Sequence, residues 1–144
     1  LSKEGHSMLP LDELVRQCCA PFIKCSPDRL VVDGDSIFLK TKAAMCLSLV
    51  FNELATNAKK HGAFLTNDGT VTVRWSSTEN GLQIQWIEKH SGTTEEKKQS
   101  GFGMQLLLDM IPFELEGTTN IDMAKTGVEF TTIIPFNAIM EPKQ

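Results

Sequence analysis

The chain lacks the features that would send it to a membrane, a nucleic acid or an oxidising compartment. Within its 144 residues no apolar run approaches the ~20 residues of a bilayer span, and the amino-terminal stretch has no signal-peptide core. An excess of basic charge is missing too. Fourteen Lys and Arg against 18 Asp and Glu leave a net charge of −4, so neither nucleic acid nor an anionic membrane is expected as a partner. The four cysteines, Cys18, Cys19, Cys25 and Cys46, contain no C-x-x-C pair. Two of them are adjacent, a poor start for a metal site, and Cys46 lies in an apolar run. Reduced thiols in a cytoplasmic protein are expected. There is no internal repeat and no initiator Met ahead of Leu1, which predicts a piece excised from something longer. What is present is ordinary for a folded chain: 41% hydrophobic and 22% charged residues, with the length of one domain over 1–144.

Periodicity divides the chain into elements. "LPLDELVRQCCAPFI" carries apolar residues at Leu11, Leu14, Val15, Cys18 and Cys19, the spacing of an amphipathic helix stopped by Pro21. "DRLVVDGDSIFLK" reads as two short strands around Asp33-Gly34-Asp35. A long helix is expected from about Thr41 to His61, with Gly62 as a left-handed C-cap. "GTVTVRWSS" and "GLQIQWIEK" alternate as strands joined by the turn "TENG". After the polar segment "KHSGTTEEKKQS", "GFGMQLLLDMI" predicts a glycine turn opening a helix. Strands are expected in "FELEGTTNIDMA" and "GVEFTTIIPF". The order predicts an α+β fold, a mixed, mostly antiparallel sheet with helices packed on one face.

Three places carry candidate chemistry. The long helix starts apolar and ends in "NELATNAKKHG". At about 100° per residue, Glu53, Asn57 and Lys60 fall within roughly 60° of one another, on a stripe that begins with Cys46, Leu49 and Val50. Leu47, Phe51, Leu54 and Ala58 line the core face. The stripe suits a pocket wall that ends at a charged ligand; it equally suits a solvated helix end whose lysines complement the dipole. In "LQIQWIEK", Glu88 shares the phase of Leu82, Ile84 and Trp86, so it points toward the core. A buried carboxylate needs a donor: water at the strand end, a basic residue, or a bound amine such as the exocyclic amino group of adenine. Gly101 and Gly103 flank Phe102 before a helix with Met104, Leu107, Leu108 and Ile111 on its core side. Such a turn lets backbone N–H groups approach an anion, although G-x-G alone is a weak pattern.

Taken together, these segments resemble the ATP-binding catalytic domain of sensor histidine kinases, within the Bergerat-fold ATPase superfamily. "NELATNAKKHG" resembles the N box, "EKHSG" the G1 box D-x-G-x-G, "GFGMQLL" the G2 box, and "TGVEFTTIIP" the closing glycine and strand. The W-x-E pair Trp86 and Glu88 is similar to the HWE subfamily. Asn52 stands where that subfamily has its histidine and is closer to the HisKA_2 kinases; His90 replaces the first G1 glycine, and Val128 stands at a common threonine. The resemblance runs from about Leu9 to Phe136.

The resemblance implies a two-layer α/β sandwich that binds ATP with Mg²⁺ and passes the γ-phosphoryl group to a histidine on a separate dimerisation domain. Asn57 would hold the Mg²⁺, and Glu53 would act as a base or orient a metal-bound water. Lys60 and His61 would reach the phosphates, as would the turn Gly101, Phe102, Gly103 and Met104. Glu88 would bind adenine, with Gly92 closing the G1 box and "GTTEEKKQS" forming a lid. The implied partners are the phosphoacceptor and sensor domains of the same protein and a response regulator. Two rivals are a pseudokinase docking module and a serine kinase of the anti-sigma type.

Overall fold

The alternating segments assemble as their periodicity requires, in a computed structural model that describes residues 9–92, 102–124 and 126–140. Strands β1 (Leu30–Asp33), β2 (Thr70–Thr78), β3 (Gly81–Lys89), β4 (Thr118–Ala124) and β5 (Gly127–Ile134) form one sheet in the order β1-β2-β3-β5-β4. Only β1 and β2 run parallel; the other neighbours are antiparallel. The expected mixed, mostly antiparallel sheet is therefore present. Its inner rows are Val71, Val73 and Trp75 of β2, Leu82, Ile84, Trp86 and Glu88 of β3, and Val128, Phe130 and Ile134 of β5, all buried. Apart from Ile87 and Ile133 the intervening residues are polar, with Arg74 Nε donating to Gln85 Oε1 at 3.2 Å across the β2–β3 pair.

Helices α1 (Leu11–Cys19), α2 (Thr41–His61), α3 (Phe102–Leu115) and the short α4 (Phe136–Ile139) complete the described chain. The five apolar positions predicted on α1 are all buried. Helix α2 keeps its predicted limits and buries Leu47, Phe51, Leu54 and Ala58 against the sheet. Phe51 stacks on Trp86 with ring centroids 6.1 Å apart. Burying a side chain of this size contributes roughly 1.5–3 kcal/mol, so this contact anchors the helical layer over β3. Lys42 near the start of α2 lies 3.5 Å from Glu114 near the end of α3. Helix α3 therefore runs back along α2, heading its N-terminus toward the polar end.

Four local expectations are revised. Only the first half of "DRLVVDGDSIFLK" is a strand. Its second half pairs with the chain's own ends, through bridges Pro10↔Phe38 and Leu39↔Met140. Gly62 has φ −135°, so it is not a left-handed cap. Helix α3 passes through Pro112 to Leu115, so Phe113 to Leu115 are helical and the following strand starts only at Thr118. The pull is burial: Leu115 is enclosed, and Gly117 N donates to Ile111 O to close the helix around Glu116 at φ 58°. Finally, the last residue read into the closing strand, Phe136, instead opens the short helix α4.

Candidate functional site

The strand period places Glu88 on the inner face near the end of β3, and there it is 4% exposed. Among the described residues its donors are a backbone amide and an indole. Ala63 N donates to Oε1 at 3.2 Å, and the indole Nε1 of Trp86, two residues back on the same face, donates to Oε2 at 3.0 Å. Each oxygen still has a second lone pair for a ligand donor. Gly62 lies against this carboxylate so closely that a Cβ there would stand 2.3 Å from Oε1. The glycine is needed for room, which is why its backbone need not be left-handed. Nearby on α1, burial pushes the Cys19 thiol up to about 12, with further upward contributions from Cys18 and the Glu88 charge.

The segment from Gly62 to Gly69 forms a closed loop behind Glu88. The N–H groups of Gly62 and Phe64, both at 3.0 Å, and of Leu65 at 3.2 Å all donate to Ala58 O, which ends α2 without a side-chain cap. Arg29, on a 3-10 turn leading into β1, donates from Nη2 to Ala63 O and Thr66 O and from Nε to Gly69 O at 2.9 Å. Its guanidinium carbon lies 5.9 Å from the centroid of the Phe64 ring.

Beyond Glu88, the chain turns through His90, Ser91 and Gly92. His90 N donates to Thr126 O at 2.9 Å, and Gly92, at φ 104°, donates its N–H to His90 Nδ1 at 3.1 Å. His90 is buried and thus fills the space of the missing glycine with a ring folded back onto its own turn. Ser91 Oγ donates to Asp68 Oδ1 at 3.3 Å, tying this turn to the α2–β2 loop. Desolvation pushes the Asp68 carboxyl up, but hydrogen bonds from Ser91, its own amide and Thr66 outweigh it and hold the group below its usual value. Gly127 completes the enclosure, because a Cβ there would lie 2.0 Å from Glu88 O.

The polar end of α2 is arranged as its period implies: Glu53 and Asn57 are half-buried, Lys60 and His61 exposed. The apolar half of that stripe is not a pocket wall. Cys46 and Val50 are buried while Leu49 is exposed. Helix α3 packs on α2, and burial and then the charge of Glu114 on α3 raise the Cys46 thiol, with Lys42 opposing. Phe102 and Gly103 form the backbone of the first turn of α3, and Met104 is enclosed in the core. Gly101 and all of the expected lid 92–100 except Gly92 lie outside the described residues. Among the described residues, no cluster of three or more His, Cys, Asp or Glu gathers to hold a metal ion. An amide and one carboxylate on a helix fit Mg²⁺ only where a ligand's phosphate oxygens and water complete the shell, the usual mode for that ion. A separate groove of about 530 Å³ lies between α1 and α2 and reaches only Asn52 of this helix end.

Arg29, Ala63 and Asp68 escaped the sequence reading. Nothing in a backbone N–H or a remote arginine marks a ligand site until the chain is folded. The indole of Trp86 was findable, since residues two apart on a strand share a face.

No family model matches the chain. It is homologous to the blue-light-activated histidine kinase of Brucella ovis, with 25% identity over 146 residues, covering 99% of this chain and 30% of the relative. The chain thus spans under a third of the curated relatives it matches. Its fold is that of histidine kinase catalytic domains. The histidine kinase domain of the Erythrobacter litoralis blue-light activated histidine kinase superposes with a TM-score of 0.69 at 19% identity, covering 95% of this chain and 66% of that one. The ATP binding domain of PrrB from Mycobacterium tuberculosis gives a TM-score of 0.61, also at 19% identity, covering 92% and 98%.

Proposed function

We propose that the chain is the ATP-binding catalytic domain of a bacterial sensor histidine kinase of the HWE or HisKA_2 type, working in the cytoplasm. It would transfer the γ-phosphoryl group of ATP to a histidine on a separate dimerisation domain. The observation that carries the proposal is the Glu88 carboxylate, buried and held by two neutral donors, in a chain homologous to histidine kinases along nearly its whole length. A carboxylate fixed with acceptor capacity to spare fits the amino group of adenine and rejects a carbonyl at the same place.

From Glu88 the ligand extends toward the polar end of α2. Asn57 offers an amide oxygen and Glu53 a carboxylate beside it, the two groups that would hold Mg²⁺ or its water. Magnesium supplies neutralisation of the phosphate charge. Lys60 and His61, exposed at the helix end, would meet the phosphates, as would the N–H groups of Gly101, Phe102, Gly103 and Met104. The partners that follow are the phosphoacceptor and sensor domains of the same protein and a response regulator.

Calorimetry with ATP and ADP, each with and without Mg²⁺, tests this reading. Binding at millimolar concentration or tighter, strengthened by Mg²⁺, is expected. No heat and no thermal shift at several millimolar nucleotide would reject it in favour of a pseudokinase.

A further inference from the structure

We infer that Arg29, which lies outside every nucleotide motif, is a positioning residue for Glu88; its role in base selection rests on the nucleotide-binding reading above. Oε1 of Glu88 depends on one backbone donor, Ala63 N, and Ala63 lies just past the end of α2, where a chain is ordinarily free to move. Here it is not free. The carbonyls of Ala63, Thr66 and Gly69 converge on the guanidinium, which donates to all three. Three carbonyl dipoles aimed at one point repel one another unless a cation sits there, and a planar fork of five donors meets them with fixed directions.

The peptide groups on both sides of Ala63 are thereby pinned, one through its N–H on Glu88 and the other through its carbonyl on Arg29. The surroundings leave no slack. A Cβ on Gly69 would lie 2.0 Å from Ala63 O, and one on Gly62 would lie 2.3 Å from Glu88 Oε1. Beneath the guanidinium, Phe64 stacks on Phe22 with centroids 6.0 Å apart. Arg29 itself is set by a tight turn in which its N–H donates to Ser26 O at 3.0 Å. The arginine therefore transmits the position of the β1 edge to the carboxylate in the middle of the sheet.

Arg29→Lys keeps the charge and loses the fork, so it tests position and not charge. In the full chain, calorimetry should show ATP binding weakened roughly tenfold with GTP binding nearly unchanged, the size of one misplaced charged hydrogen bond. Exchange of the Ala63 amide, followed by NMR, should accelerate about tenfold or more relative to amides of β3 and β5. In a Glu88→Gln background the same change should leave the ATP-to-GTP ratio where Glu88→Gln alone puts it. Equal losses for ATP and GTP, or an unchanged Ala63 amide, overturn the inference and leave Arg29 a general stabiliser. If Arg29→Lys does not fold, the unmutated protein decides. Its Ala63 amide must be as protected as those of β3, and exchange at the rate of an open loop overturns the inference. If the unmutated protein binds no nucleotide, the kinase reading fails, and the Ala63 exchange in Arg29→Lys alone judges the positioning role.

Discussion

Among the described residues Glu88 accepts from two neutral donors, which makes its response to substitution specific. Glu88→Gln retains the shape but offers one oxygen and one NH₂ where Ala63 N–H and Trp86 Nε1 both donate. One donor must then face another. Stability should fall by about 1–3 kcal/mol, the cost of an unsatisfied buried group, and the roughly tenfold or greater preference for ATP over GTP should shrink. Thermal melts and paired titrations read both effects. Equal ATP and GTP affinity in the unmutated chain would show that Glu88 does not read the base. Asn57 is the contrasting case. It is half-buried and off the core face that Leu54 and Ala58 occupy. Asn57→Ala should therefore abolish the Mg²⁺ dependence of nucleotide binding while leaving the melting temperature within about 1–2 °C. An unfolded variant would mark Asn57 as structural.

Among the elements, α3 departs most from its local signals. Pro112 removes a helical N–H, yet the helix continues for three residues because Leu115 is buried and Glu114 reaches Lys42. The cost appears at the end, where Glu116 adopts φ 58° so that Gly117 N can donate to Ile111 O. This is the position that glycine ordinarily fills. Glu116→Gly should raise stability by about 0.5–1 kcal/mol, or about 2–3 °C in melting temperature. A fall in the melting temperature would mean that the Glu116 side chain contributes more than its backbone costs. The end of α2 works differently: its Ala58 carbonyl accepts three N–H groups of a returning loop, and Arg29 gathers the carbonyls of that loop.

For the whole molecule, the packing of α1 onto the sheet and α2 makes stability sensitive to alkali. Burial raises the Cys18 thiol from 9.0 to about 11, and burial, then Cys18 and Glu88, raise Cys19 from 9.0 to about 12. The folded state thus holds both protons at pH values where the unfolded chain releases them. The contribution is complete below pH 9 and is lost as pH climbs from 9 through 11 to 12. Each thiol steepens the decline by up to about 1.4 kcal/mol per pH unit. The chain has no tyrosine to confuse this range. Denaturant unfolding at pH 8 to 10.5 under reducing conditions should show the decline, and Cys18→Ala with Cys19→Ala should flatten it. An unchanged slope in that double variant would refute the burial of these thiols.

Much of the fold was legible before folding was considered. The limits of α2, the β2–β3 hairpin and the inward phase of Glu88 follow from periods of 3.6 and 2, which depend only on backbone geometry. The motif order likewise placed the chain beside the histidine kinases. What pairs with Glu88 was not legible. Its donors come from a backbone amide at the end of a helix and from an indole, and its support comes from an arginine far back in sequence. Such contacts arise from the meeting of distant segments, so no local pattern encodes them. The apolar stripe of Cys46 and Val50 makes the same point from the other side: its period was right, but only the packing of the other elements onto α2 decided that these residues join the core. Gly62 was recognised as needed at the helix end, yet the reason, a carboxylate 2.3 Å from its missing Cβ, exists only once α2 and β3 have come together.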